Sequence, residues 1–179
     1  MPQLRYVQHC VLLGCFAVLL AAADHVRLIY PLIFSFALYG TCHALALTLC
    51  LHAPEVTWRE KLLFTAFSAC LSIAALGIGL GGVHVIGRLH GHWGLLVSLG
   101  FSSAIGAAGY LLLIRAFRFR ALTLRGVAGI SVACMFATLM AFAMLGHFSL
   151  LGRWWLAVLW WYALSLGLWF CDGQKFVRV

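Results

Sequence analysis

Apolar residues run along this chain in long blocks, and the polar residues are gathered into short gaps between them. A transmembrane helix needs about 20 mostly apolar residues. Six blocks of that kind are present, near Val7–Ala23, Leu28–Leu51, Leu62–Ile86, Trp93–Ile114, Gly126–Phe148 and Trp154–Cys171. Each gap holds charge or a helix breaker: Asp24-His25-Val26-Arg27, then Ala53-Pro54-Glu55 through Lys61, Gly87-Arg88, Arg115 through Arg125, and Gly152-Arg153. The spans leave no room for a soluble domain. The expected fold is all-α: a polytopic integral membrane protein, one compact bundle of six transmembrane helices over residues 1–179, multi-pass in the cell (inner or plasma) membrane. Ala21-Ala22-Ala23 resembles a signal-peptide cleavage site. The next span follows within a few residues, so the first is read as retained.

Composition narrows the class further. Apolar residues make up 65% of the chain and charged residues 9%, with a mean hydropathy of +1.06. A soluble domain carries roughly 25% charged residues, and a soluble fold of this size could not hide so much apolar surface. A soluble enzyme, a nucleic-acid-binding module and a disordered chain are excluded. The net charge of +8 comes from basic residues placed between apolar runs, so it reads as an orientation signal. With the N-terminus inside, nine of the 12 Lys and Arg fall on the inner side, and only Arg27, Arg88 and Arg153 lie outside. Both termini are therefore expected in the cytoplasm. Trp154, Trp155, Trp160, Trp161 and Trp169 of the last span read as aromatic anchors at the interfaces.

The seven cysteines include no CxxC pair, and most fall within spans. They read as small apolar residues and not as a thiol–disulfide exchange centre. A loose repeat relates Gly82-Val83-His84 through Gly87-Arg88 to Gly146-His147-Phe148 through Gly152-Arg153. It suggests pseudo-symmetric helical hairpins, a layout that transporters also use.

Histidines carry the concentrated chemistry. At about 1.5 Å per residue, His25, His84, His90, His92 and His147 come out at the outer interface. Neutral imidazole is a common ligand for zinc, copper and haem iron. A bis-histidine haem b or a transition metal needs ligands from different helices at one depth, and His84 and His147 best meet that need. His92 or His90 comes next. The bland reading is that interfacial histidines simply reach water with one edge. His9 and His52 fall near the inner interface, and His43 falls inside the hydrocarbon region. An intramembrane ionisable residue is a functional candidate by default. His43 is expected to face the bundle and to bond the backbone of a neighbouring helix.

The stretch Leu89-His90-Gly91-His92-Trp93-Gly94-Leu95-Leu96 resembles the start of the fourth helix in the ascorbate-dependent transmembrane cytochromes b, the b-561 family. The resemblance covers this one motif together with helix number and order. It implies a six-helix electron carrier in which His90 or His92 holds an outer haem. That family places a His before Pro at the start of the second helix, where this chain reads Tyr30-Pro31. It also opens its third and fifth helices with inner-haem ligands, where this chain has Lys61-Leu62-Leu63 and Leu124-Arg125-Gly126. The resemblance therefore implies at most the outer haem, with His25 or His147 as substitute partner.

No Asp or Glu is embedded in the spans, and no Gly-x-Ser-x-Gly, His-Glu-x-x-His or P-loop motif is present. Arg115, Arg118, Arg120 and Arg125 form an inner basic cluster that suits anionic lipid head groups or an acidic partner, or is simply a positive-inside loop. Gly77 through Gly82 and Gly106 through Gly109 let helices approach closely, as packing seams or around a ligand. Three functional readings are open. One is haem- or metal-dependent electron transfer, alone or as a subunit. One is a small permease or the substrate-binding membrane component of a transporter. One is a non-catalytic assembly or immunity-type partner. The bilayer and other membrane subunits are the expected partners, and nucleic acid is not.

Overall fold

A computed structural model describes residues 2–25, 32–50, 56–117, 119, 122–145 and 154–173. All regular structure among them is helical: α1 (Pro2–His25), α2 (Leu32–Cys50), α3 (Trp58–Ala116), α4 (Leu124–Leu145) and α5 (Trp154–Gly173). Trp58–Ile86, Leu96–Ala116 and Leu124–Ala141 are each long and apolar enough to cross a membrane. Val7–Leu20, Ala37–Cys50 and Val158–Phe170 are shorter apolar helical stretches.

The third helix is two rods. Gly79 abuts Ser102, Gly82 abuts Ser98, Gly106 abuts Ala75 and Gly109 abuts Leu71. Each step forward in the first arm (Trp58–Ile86) is matched by a step back in the second (Leu96–Ala116). The arms are antiparallel, and the chain reverses between Gly82 and Ser98. The expected non-helical break at Gly87-Arg88 is absent, since helical geometry runs on through those residues. Glycines at positions 87, 91 and 94 lower the steric cost of bending there.

Helix ends also differ from the expected ones. Arg59, Glu60 and Lys61 belong to α3 and not to a gap, because Thr57 starts the helix with a capping box. The Thr57 hydroxyl accepts from Glu60 N–H at 3.3 Å, and Thr57 N–H donates to the Glu60 carboxylate at 2.7 Å. Arg115 lies in the last turn of α3, and Arg125 lies in the first turn of α4. The Thr123 hydroxyl accepts from Gly126 N–H at 3.1 Å and starts α4. Asp24 and His25 continue α1. In lipid, helical hydrogen bonding is the cheapest way to satisfy backbone groups, so helices run past the apolar blocks until a cap ends them.

α1 packs against α2 and α5, α2 against α3, α3 against α4, and α4 against α5. The ring of helices closes around the second arm of α3, which is more buried than the first arm or α4. The outside is apolar as well as the core, and several polar side chains are turned inward. Val11, Leu49, Phe67, Phe101, Phe136 and Phe170 are exposed, whereas His9, His43, Ser68, Ser102, Thr138 and Ser165 are buried. An outer surface of this kind is stable only against hydrocarbon, so the structure has the character of a membrane protein.

Candidate functional site: a buried histidine pair

Four helices deliver polar side chains to one level of the bundle. His9 lies seven residues after the start of α1, and His43 lies seven before the end of α2. Tyr110 lies six residues before the end of α3, and Ser165 eight before the end of α5. At 1.5 Å per residue each is about 9–12 Å from the same end of the bundle. All four are buried, with His43 at 0% exposure.

The Tyr110 hydroxyl is hydrogen-bonded to His43 Nδ1 at 2.7 Å, and His9 Nε2 is bonded to the Ser165 hydroxyl at 3.0 Å. The two imidazoles meet edge to face, with ring centres 5.5 Å apart and planes at 89°. Trp160 and Trp161 of α5 complete the wall around His43, at 6.1 and 6.3 Å between ring centres. The backbone of Trp161 is a polar neighbour of the His43 ring, but Nε2 makes no hydrogen bond of normal geometry. With the proton on Nε2, Nδ1 accepts from the phenol and Nε2 points its N–H into the aromatic box. The expected partner of His43 on a helix backbone has its counterpart in Trp161 of α5, and the Tyr110 side chain adds the bond of normal geometry.

A second polar seam runs beside the first. The Ser103 hydroxyl donates to the Cys134 carbonyl at 3.0 Å, and Thr138 Oγ1 lies 2.7 Å from Ser103 Oγ. Trp160 Nε1 donates to the Ser103 carbonyl at 3.4 Å. Ser102 on the same arm bonds the Ala75 carbonyl. Hydroxyls therefore line the central arm from Ser98 to Tyr110, a rise of about 18 Å.

His84, read as an outer ligand, is exposed near the end of the first arm of α3. The side chains of His25, His90 and His92 lie outside the described set, and His147, Arg118 and Arg120 lie outside the described residues. Among the described residues no three His, Cys, Asp or Glu side chains come together as a metal site. Arg115 and Arg125 are exposed, at the end of α3 and the start of α4. His9, Tyr110 and Ser165 escaped the sequence reading. His9 looked interfacial by depth, and a lone Ser or Tyr in an apolar run gives no signal of its partner. Gly79, Gly82, Gly106 and Gly109 form a packing seam, whereas Gly77 and Gly81 face open space.

No protein-family model, curated protein or solved structure matches the chain.

Proposed function

We propose that this is a six-span membrane protein with both termini in the cytoplasm, acting as a small permease or as the solute-binding membrane component of a larger transporter. The observation that carries the proposal is the buried His9–His43 pair, held by Ser165 and Tyr110 from two further helices. Imidazoles inside a membrane bundle are costly, and such groups usually mark a solute or proton path. The cluster offers hydrogen-bond donors and acceptors on neutral side chains, which suits a small polar solute of low charge. The hydroxyls along the central arm supply further polar positions between this site and the opposite end of the bundle. Six spans are supported by the lengths of α1, α2 and α5, at 24, 19 and 20 residues, beside the three longer apolar stretches. Cytoplasmic termini are supported by the Lys and Arg bias.

Thermal unfolding of the detergent-purified protein against a panel of small polar solutes tests the function. A solute that raises Tm in the wild type, and does so less in His9→Ala and His43→Leu, is the expected result. Reporter fusions at Val179 test the orientation, and activity of a periplasm-specific reporter there would overturn it.

The outer-histidine reading makes a different demand. Haem b or a transition metal held by His84, His147, His92, His90 or His25 would make the protein an electron carrier. Its support is the exposed position of His84 at the far end of the first arm. A Soret band or a stoichiometric metal, lost in His84→Ala or His147→Ala, would replace the permease proposal with this one. Copurification of a stoichiometric membrane subunit, with no solute effect, would favour an assembly or immunity-type role.

A further inference from the structure

Four cations stand on the helix ends where α3 begins and where α3 passes into α4. Arg59 and Lys61 stand on the first turn of α3, Arg115 on its last turn, and Arg125 on the first turn of α4. Arg59, Arg115 and Arg125 are exposed, and Lys61 is half-buried. They are drawn together by what lies beneath them. Phe64 of the first turns of α3 packs against Phe117 and Phe119 of the connector, with ring centres 5.7 and 4.7 Å apart. Phe119 and Leu122 are buried in the main core and anchor the connection between α3 and α4 there. Phe117 N–H donates to the Leu113 carbonyl at 2.9 Å, and Phe119 N–H donates to the Ile114 carbonyl at 3.0 Å. The helix ends that carry the cations are thereby held together.

The surface beside these cations is apolar. Trp58 is 66% exposed, Leu124 is 68% exposed, and Leu62 and Phe67 are more than half exposed. Arg59 lies over the Trp58 ring, 5.8 Å from its centre. The starts of α3 and α4 also turn their positive dipole ends to this side, with part of their N–H groups capped by Thr57 and Thr123 and the one carboxylate, Glu60, engaged by Thr57. The patch is thus cationic at its rim and hydrocarbon-like just below it.

We propose that these adjoining ends of α3 and α4 are a binding site for an anionic phospholipid. Its phosphate would sit among Arg59, Lys61, Arg115 and Arg125, and its acyl chains would lie along Leu62 and Phe67. An acidic soluble partner would use the cations but would leave the adjoining apolar strip facing its own solvent shell, so lipid is the better match. The inference rests on membrane insertion and not on the permease proposal. It holds for any function of the histidine pair.

The test uses the full-length protein in phosphatidylcholine nanodiscs doped with phosphatidylglycerol of the same acyl chains. Brominated phosphatidylglycerol should quench tryptophan fluorescence more than brominated phosphatidylcholine at equal mole fraction, and Trp58→Phe should remove most of that difference. Arg115→Gln and Arg125→Gln should each weaken the selective quenching about fivefold, the worth of one basic residue near an anionic surface. Raising salt should weaken it too. Arg115→Lys keeps the charge and should retain most of the effect, which separates charge loss from misfolding. Equal quenching by both lipids, or selectivity that survives both glutamine substitutions, would overturn the proposal. Competition by inorganic phosphate or by an acidic peptide at the same concentration as the lipid would also overturn it, and would point to a soluble ligand. Failure of the protein to enter nanodiscs at all would refute membrane insertion instead.

Discussion

His43 on α2 and Tyr110 on the second arm of α3 are joined by a 2.7 Å hydrogen bond across 67 residues of sequence. The bond ties the outer ring of helices to the central rod at the level where His9 and Ser165 meet. Tyr110→Phe removes the hydroxyl and leaves His43 Nδ1 without its partner. In a membrane bundle such a bond contributes about 0.6–1.7 kcal/mol. Tm in detergent should fall accordingly. His43→Leu should also lower it, and the double variant should be less destabilised than the sum of the two singles. Additive losses, read from urea or thermal unfolding, would show that the pair is not coupled.

Helix approach is set by glycines at particular places. A methyl group on Gly40 would overlap the Ser68 carbonyl and the Ser72 hydroxyl, whereas Gly77 has nothing within 4 Å. Gly40→Ala should push α2 off the first arm of α3 and destabilise by about 1–3 kcal/mol, the usual cost of overpacking. Gly77→Ala should be neutral or stabilising by roughly 0.5–1 kcal/mol, since alanine favours the helix. Circular dichroism melts of the two variants in the same detergent give the comparison. Similar losses in both would contradict the assigned packing.

Ser98 is a buried hydroxyl with no hydrogen-bond partner among the described residues, facing Gly82 across the hairpin. An unpaired buried hydroxyl costs about 1–3 kcal/mol. Ser98→Ala should therefore raise Tm, provided the site is dry. A lower Tm would mean that the hydroxyl is paired in the membrane, by water or by solute.

Phe119 joins the connector to the core through Phe64. Phe119→Ala should cost about 3–5 kcal/mol, the range for removing a buried aromatic ring. It leaves every charge in place. Lipid selectivity should fall with it if the cations depend on a rigid connector. Unchanged selectivity in a folded variant would show that charge alone suffices.

The sequence by itself determined the class and the helices. Long apolar blocks with charged gaps have one stable arrangement in lipid, because every backbone group must be paired within its own segment. The blocks near Leu62–Ile86 and Trp93–Ile114 reappear as the two arms of α3 for that reason. The caps at Thr57 and Thr123 then decided the starts of α3 and α4, which hydropathy alone places too late. The inward-facing, buried position of His43 was legible as well, because an imidazole stands out in an apolar run.

Its partners were decided only by the tertiary structure. His9 and Ser165 are 156 residues apart, and they meet because α1 packs against α5 to close the ring of helices. Apolar periodicity carries almost no information about which face of a lipid-embedded helix turns inward, since both faces are apolar. That choice falls to small residues such as Gly40 and Gly109, which allow close approach, and to the few polar side chains that must find one another in hydrocarbon. The histidine pair is a product of that packing, and no local stretch of the chain encodes it.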